Sequence, residues 1–102
     1  MKRTRSDRRA RTRVHAKLVR DRERLARLAP GGSPERPITI VSPAQVDVMA
    51  AARPCPLCDG PLRLEAHVAS TSGGLRRRVA HVACTACGSR RAVWFELREV
   101  LH

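Results

Sequence analysis

Cysteine occurs in this chain only as two C-x₂-C pairs, Cys55-Pro-Leu-Cys58 and Cys84-Thr-Ala-Cys87, with 25 residues between them. One tight turn carrying such a pair presents two thiolates to the same point. Two such turns complete a tetrahedron around a single ion. The gap exceeds the spacing of about 15–20 residues usual for this pattern, so the intervening chain has to fold back as a hairpin. Gly88 follows the second pair, where a turn of this kind wants left-handed backbone. At the first pair Asp59 holds that place and Gly60 comes one later; Asp tolerates the left-handed region better than most side chains.

The residues between and after the pairs read as strands. Leu62-Arg63-Leu64-Glu65-Ala66-His67-Val68 alternates apolar with polar side chains, the period of a half-buried strand. Thr71-Ser72-Gly73-Gly74 reads as the hairpin turn, Leu75 to Ala83 as the return strand, and residues 91–97 as a third strand. The expectation is a three-stranded antiparallel meander. His67 and His81 fall in strands rather than at the cysteine turns, which makes them surface or filler residues rather than ligands.

Four thiolates are a closed, soft ligand set, which suits one structural Zn²⁺ per chain and leaves no open position for metal catalysis. Disulfides are the first alternative, but two C-x₂-C pairs in a chain that opens without an apolar secretory stretch fit a reducing, cytoplasmic setting better. A thioredoxin-like redox pair would need a βαβ context, and none is legible. Iron is the remaining rival, because Cys55-Pro56-Leu57-Cys58 resembles a rubredoxin knuckle; rubredoxins are acidic and rich in core aromatics, whereas this segment is basic and lacks Tyr.

On these residues, 55–97 resembles a zinc ribbon, in which two zinc knuckles close a three-stranded sheet. Cys55, Cys58, Cys84 and Cys87 match the family's ligands. The resemblance implies a place among proteins of transcription, RNA polymerase and the ribosome, without choosing between them. The acidic hairpin tip of catalytic elongation-factor ribbons has no counterpart, since Ser72-Gly73-Gly74 is followed here by Arg76-Arg77-Arg78.

Ahead of the cysteines the charge is lopsided. Residues 1–29 carry 12 basic and 3 acidic side chains, residues 30–54 two of each, and residues 55–102 seven basic and four acidic, for a net charge of +12. With 19 Arg, 2 Lys and no Asn or Tyr, the composition has the stamp of GC-rich coding. Arginine over lysine therefore carries no argument; the placement of the charge does. Asp7 to Leu28 reads as a helix capped by Ser6 or Asp7, with the first six residues disordered. Val14, Leu18, Leu25 and Leu28 form one stripe, interrupted by Asp21, that either docks on the rest of the chain or waits for a partner.

All seven prolines lie between Pro30 and Pro61. Pro30-Gly31-Gly32-Ser33-Pro34 stops the helix and opens a Pro-rich linker. Within it Ile38-Thr39-Ile40-Val41 favours a strand. Ser42-Pro43-Ala44-Gln45 has the form of a capping box opening a helix through Ala52, against a competing strand reading in which Val46 and Val48 alternate with polar neighbours. The fold class expected is small α+β, in three parts: a basic helical arm (1–29), a Pro-rich linker with a short strand and helix (30–54), and a zinc ribbon (55–102).

A chain of 102 residues with Trp94 and Phe95 as its only aromatics has little room for a substrate pocket. It shows no catalytic triad, phosphate loop or membrane-length apolar run. The expected function is non-catalytic binding of RNA or DNA, alone or within an assembly such as the ribosome or the transcription machinery. Lys2, Arg3, Arg5, Arg8, Arg9, Arg11 and Arg13 would neutralise phosphates, with Arg76, Arg77, Arg78, Arg90 and Arg91 as ribbon patches. Trp94 would stack on a base, because Phe95 aligns with the core positions Val93 and Leu97. The alternative is a protein-interaction adaptor whose ribbon and amphipathic arm dock on a protein partner. No membrane and no small-molecule substrate is expected.

Overall fold

The computed structural model describes residues 4–71 and 76–98. Lys2, Arg3 and the expected hairpin tip at 72–74 lie outside them. The elements are α1 (Arg5–Leu28), β1 (Ile38–Ile40), α2 (Ala44–Ala52), β2 (Leu62–Ser70), β3 (Arg77–Cys84) and β4 (Arg90–Leu97).

Helix α1 starts earlier than the sequence pattern suggests, because its cap is Thr4 rather than Ser6 or Asp7. Thr4 Oγ1 accepts from the Asp7 amide at 3.2 Å and Asp7 Oδ2 accepts from the Thr4 amide at 3.4 Å, a reciprocal capping box. Arg5 and Ser6 are therefore helical rather than disordered. The helix ends at Leu28 with Ala29 as its C-cap, just ahead of Pro30, and Gly31 turns the chain with φ +84°. A side chain at Gly31 would meet Arg53, Ile38 and Val93 within 3.0 Å. The absence of a Cβ lets the Gly31 carbonyl accept from the Trp94 amide at 2.8 Å, laying the loop along the edge of β4.

The sheet corrects the expected three-stranded antiparallel meander. It has four strands in the order β1-β4-β3-β2, with β2, β3 and β4 antiparallel and β1 added in parallel to β4. Ile38 aligns with Phe95 and Ile40 with Leu97. The segment between the arm and the first cysteine thus supplies a strand and α2. Gln45 Oε1 accepts the amides of Val41 at 2.8 Å and Ser42 at 3.0 Å, which is the reach-back half of a capping box and starts α2 as a helix. Val46 and Ala50, one turn apart, are buried, while Val48 is exposed, so the strand alternative for 43–52 does not hold.

The core lies between α2 and one face of the sheet. Leu62, Ala80, Val82, Val93, Phe95, Ile40, Val46 and Ala50 form one cluster that also includes Cys55 and Cys84. A bulge between Leu64 and Ala66 breaks the alternation in β2. The bulge turns His67 toward α2, where its Nδ1 lies 2.9 Å from Asp47 Oδ1, and leaves Val68 outside. Extra residues of this kind swap the faces of everything beyond them.

Helix α1 has no buried residue. Its stripe of Val14, Leu18, Leu25 and Leu28 is exposed, so it does not dock on the body. The contact is made by the other side of the helix, where Ala16, Val19, Glu23 and Ala26 are half-buried; within the stripe only Asp21 is half-buried as well. Arg91 Nη2 donates to Glu23 Oε1, and Arg22 Nη1 donates to the Leu57 carbonyl at 2.7 Å. The first half of the helix extends beyond these ties. Hence the extents are 69 × 23 × 19 Å and the radius of gyration is 17.4 Å, against about 13 Å for a compact chain of this length.

Candidate metal centre

The two cysteine turns have the same backbone. The Asp59 amide donates to the Cys55 carbonyl at 2.8 Å, and the Cys55 amide donates to the Gly60 carbonyl at 2.8 Å. In the second turn Gly88 donates to Cys84 at 3.0 Å and Cys84 donates to Ser89 at 2.9 Å. Asp59 at φ 62° and Gly88 at φ 78° occupy the left-handed positions expected of them. The turns are joined where β2 begins: Leu62 pairs with Cys84, and the Thr85 amide donates to the Pro61 carbonyl at 3.0 Å.

This construction gathers all four sulfurs within 4.8 Å of one another. Cys55 Sγ lies 3.8 Å from Cys87 Sγ, and Cys58 Sγ lies 3.4 Å from Cys84 Sγ. A tetrahedral ion with metal–sulfur bonds near 2.3 Å needs sulfur–sulfur edges of about 3.8 Å, so the set fits a four-thiolate metal. Amide groups support the charge: Gly60 points at Cys58 Sγ at 3.4 Å, while Ala86 and Cys87 point at Cys84 Sγ at 3.3 and 3.4 Å.

Ser89 belongs to the site although nothing in the cysteine spacing announces it. Its hydroxyl lies 3.1 Å from Cys87 Sγ and 3.5 Å from Cys55 Sγ. The Ser89 side-chain and backbone hydrogen bonds bring Cys87 down to about 6. Burial pushes Cys55 up, but bonds from Ser89 and the neighbouring amides outweigh it and leave this thiol lowered. The Gly60 amide favours the Cys58 thiolate, yet the adjacent sulfurs, Cys84 first, drive Cys58 up to about 12. Four thiolates this close repel one another, and a divalent cation removes that repulsion.

Gly60 has a role other than turn punctuation. A Cβ there would come within 2.8 Å of Ala86 Cβ, 3.1 Å of Cys84 Sγ and 3.2 Å of Cys58 Sγ. The missing side chain is what allows the two knuckles to approach. Gly60→Ala is expected to spread the sulfurs, destabilise the metal-bound fold by about 1–3 kcal/mol and weaken metal retention in competition with a chelator.

The remaining predicted site residues are not brought together. Arg5, Arg8, Arg9, Arg11 and Arg13 are exposed along the free half of α1. Arg76 precedes β3, whereas Arg77 and Arg78 are half-buried on opposite faces of the sheet, so the triplet forms no single patch. Arg90 faces Glu65 at 3.1 Å, and Arg91 is committed to Glu23. Phe95 is fully buried and Trp94 half-buried on the opposite face, in one cross-strand row with Val79 and Val68. Comparison of the chain with protein-family models, curated proteins and solved structures gave no match.

Proposed function

We propose that the chain is a non-catalytic zinc-ribbon protein that holds one Zn²⁺ in its cysteine cluster and binds nucleic acid, alone or within a nucleoprotein assembly, through its basic arm. The observation that carries this reading is the arm itself. Five arginines lie on the exposed first half of α1, beyond the ties of Arg22 and Glu23 to the body. A cationic rod free of the core can follow a phosphate backbone without disturbing the fold. The metal's role is structural, because four protein sulfurs leave no open coordination position. Among the described residues no helix is long and apolar enough to cross a membrane.

The test is binding to duplex and single-stranded oligonucleotides across a salt series. Steep salt dependence supports the reading; weak binding independent of salt overturns it. Trp94 adds a contact specific to single strands, because its ring lies on the sheet face turned away from α2, in the row with exposed Val68. Trp94→Ala is expected to cost about 1–3 kcal/mol toward a single strand and little toward duplex, as loss of one stacked base does.

A further inference from the structure

Four large apolar side chains of α1 face solvent: Val14 is 60%, Leu18 53%, Leu25 66% and Leu28 53% exposed. With Asp7, Arg11 and Asp21 they repeat at steps of four and three residues, the a and d positions of successive heptads. The helix already uses its opposite side, at the b and f positions Ala16, Val19, Glu23 and Ala26, to meet the body. The seam is therefore a second surface rather than a misplaced first one. Near its free end Ala10, Arg11, Val14, His15 and Leu18 line a shallow hollow.

The flanks decide what can occupy it. The e positions are Arg8, His15 and Arg22, the last already donating to the Leu57 carbonyl, and the g positions are Ala10, Lys17 and Arg24. Residues at e and g set partner choice in paired helices. A second copy of α1, parallel or antiparallel, would set cation against cation along these flanks. An anionic lipid surface would suit the cations but would take Asp7 and Asp21 into contact with it, since both sit in the seam. A helix with carboxylates at e and g, apolar a and d positions against Val14, Leu18, Leu25 and Leu28, and a basic residue against Asp21 suits both the seam and its cationic flanks. Asp21 has no ion pair among the described residues, and a single basic residue facing it in the partner's seam would set the register.

We infer that the Val14-Leu18-Leu25-Leu28 seam of α1 docks an acidic amphipathic helix of a partner protein, on a surface separate from the sheet and the metal centre. The inference does not depend on the nucleic-acid reading, and the two fail separately.

The probe is a designed four-heptad peptide with Leu at a and d, Glu at e and g, and one Arg placed to face Asp21. Full-length metal-loaded protein is titrated with it at physiological salt, beside the variant Leu18→Ser/Leu25→Ser. Both substituted side chains are exposed and uncharged, so fold, metal content and salt-dependent oligonucleotide binding should stay unchanged. The expected result is saturable binding, weakened about 100-fold in the variant, roughly tenfold for each lost apolar anchor. Replacing the peptide's Arg with Leu should weaken binding to the wild type but not to an Asp21→Leu variant. Equal binding by wild type and the double-serine variant would reduce the effect to bulk charge and overturn the inference. So would equal binding of a peptide with Lys at e and g. Sedimentation showing seam-dependent self-association, or seam-dependent binding to phosphatidylglycerol vesicles, would assign the surface to a second copy or to lipid and overturn it as well.

Discussion

Chelating the metal is expected to unfold the sheet, not merely to loosen two turns. Cys55 and Cys84 are buried members of the same cluster as Phe95, Val82, Ile40 and Val46, so ligand and core positions are shared. Once the sulfurs part, the knuckles are held together mainly by the Thr85–Pro61 contact and the start of the β2–β3 ladder. A structural zinc site contributes on the order of 10 kcal/mol, comparable with the whole stability of a small domain. Elemental analysis should find one zinc per chain, and circular dichroism should show loss of strand signal on chelation and its return on readdition. Because protons compete with the metal for thiolates, the holo fold should lose its ion as pH falls. A metal-free chain that keeps its sheet would remove zinc from the account, and a red iron-loaded form would replace it.

The second large effect is expected from the arm. Substituting Arg5, Arg8, Arg9, Arg11 and Arg13 together by Gln removes five charges from an exposed helical segment while keeping good helix formers. If each meets a phosphate, the slope of log affinity against log salt should fall by roughly four for duplex, and somewhat less for single strands. Affinity at low salt should drop on the order of 10²–10³-fold or more. Thermal unfolding and metal content should not change. Identical slopes for both proteins would transfer the function from the arm to the sheet or to a protein partner. Deleting residues 1–29 is the blunter experiment, because it also removes Glu23 from Arg91 and Arg22 from the Leu57 carbonyl.

The cysteine cluster of the candidate metal site was legible because its signals are local. Two residues between cysteines, a left-handed residue at Asp59 and Gly88, and an alternating strand between the pairs each act within a few positions of the chain. The same holds for α2, whose start is written in Ser42-Pro43-Ala44-Gln45, and for Phe95 as the core aromatic beside an outward Trp94. The end of α1 at Leu28, ahead of Pro30, was equally local; its beginning was missed by two residues because Thr4 competes with Ser6 and Asp7 for the same cap.

What only the tertiary structure decided depends on register and on partners far along the chain. Ile38–Ile40 carries strand propensity, but nothing in three residues says that it will run parallel to β4, 57 positions away in register. The bulge after Leu64 is invisible in a pattern that alternates without a break, yet it turns His67 toward Asp47 and puts Val68 outside. Ser89 and Gly60 join the sulfur cluster through distances that spacing does not encode. The arginine triplet splits because successive strand residues face opposite ways. The apolar stripe of α1 announces a contact by its period, but the fold chose the other side of the helix, where Glu23 finds Arg91 and Arg22 reaches the Leu57 carbonyl. Periodicity states that a face is apolar; only the positions of the other elements decide whether that face is covered from within the chain or left for another molecule.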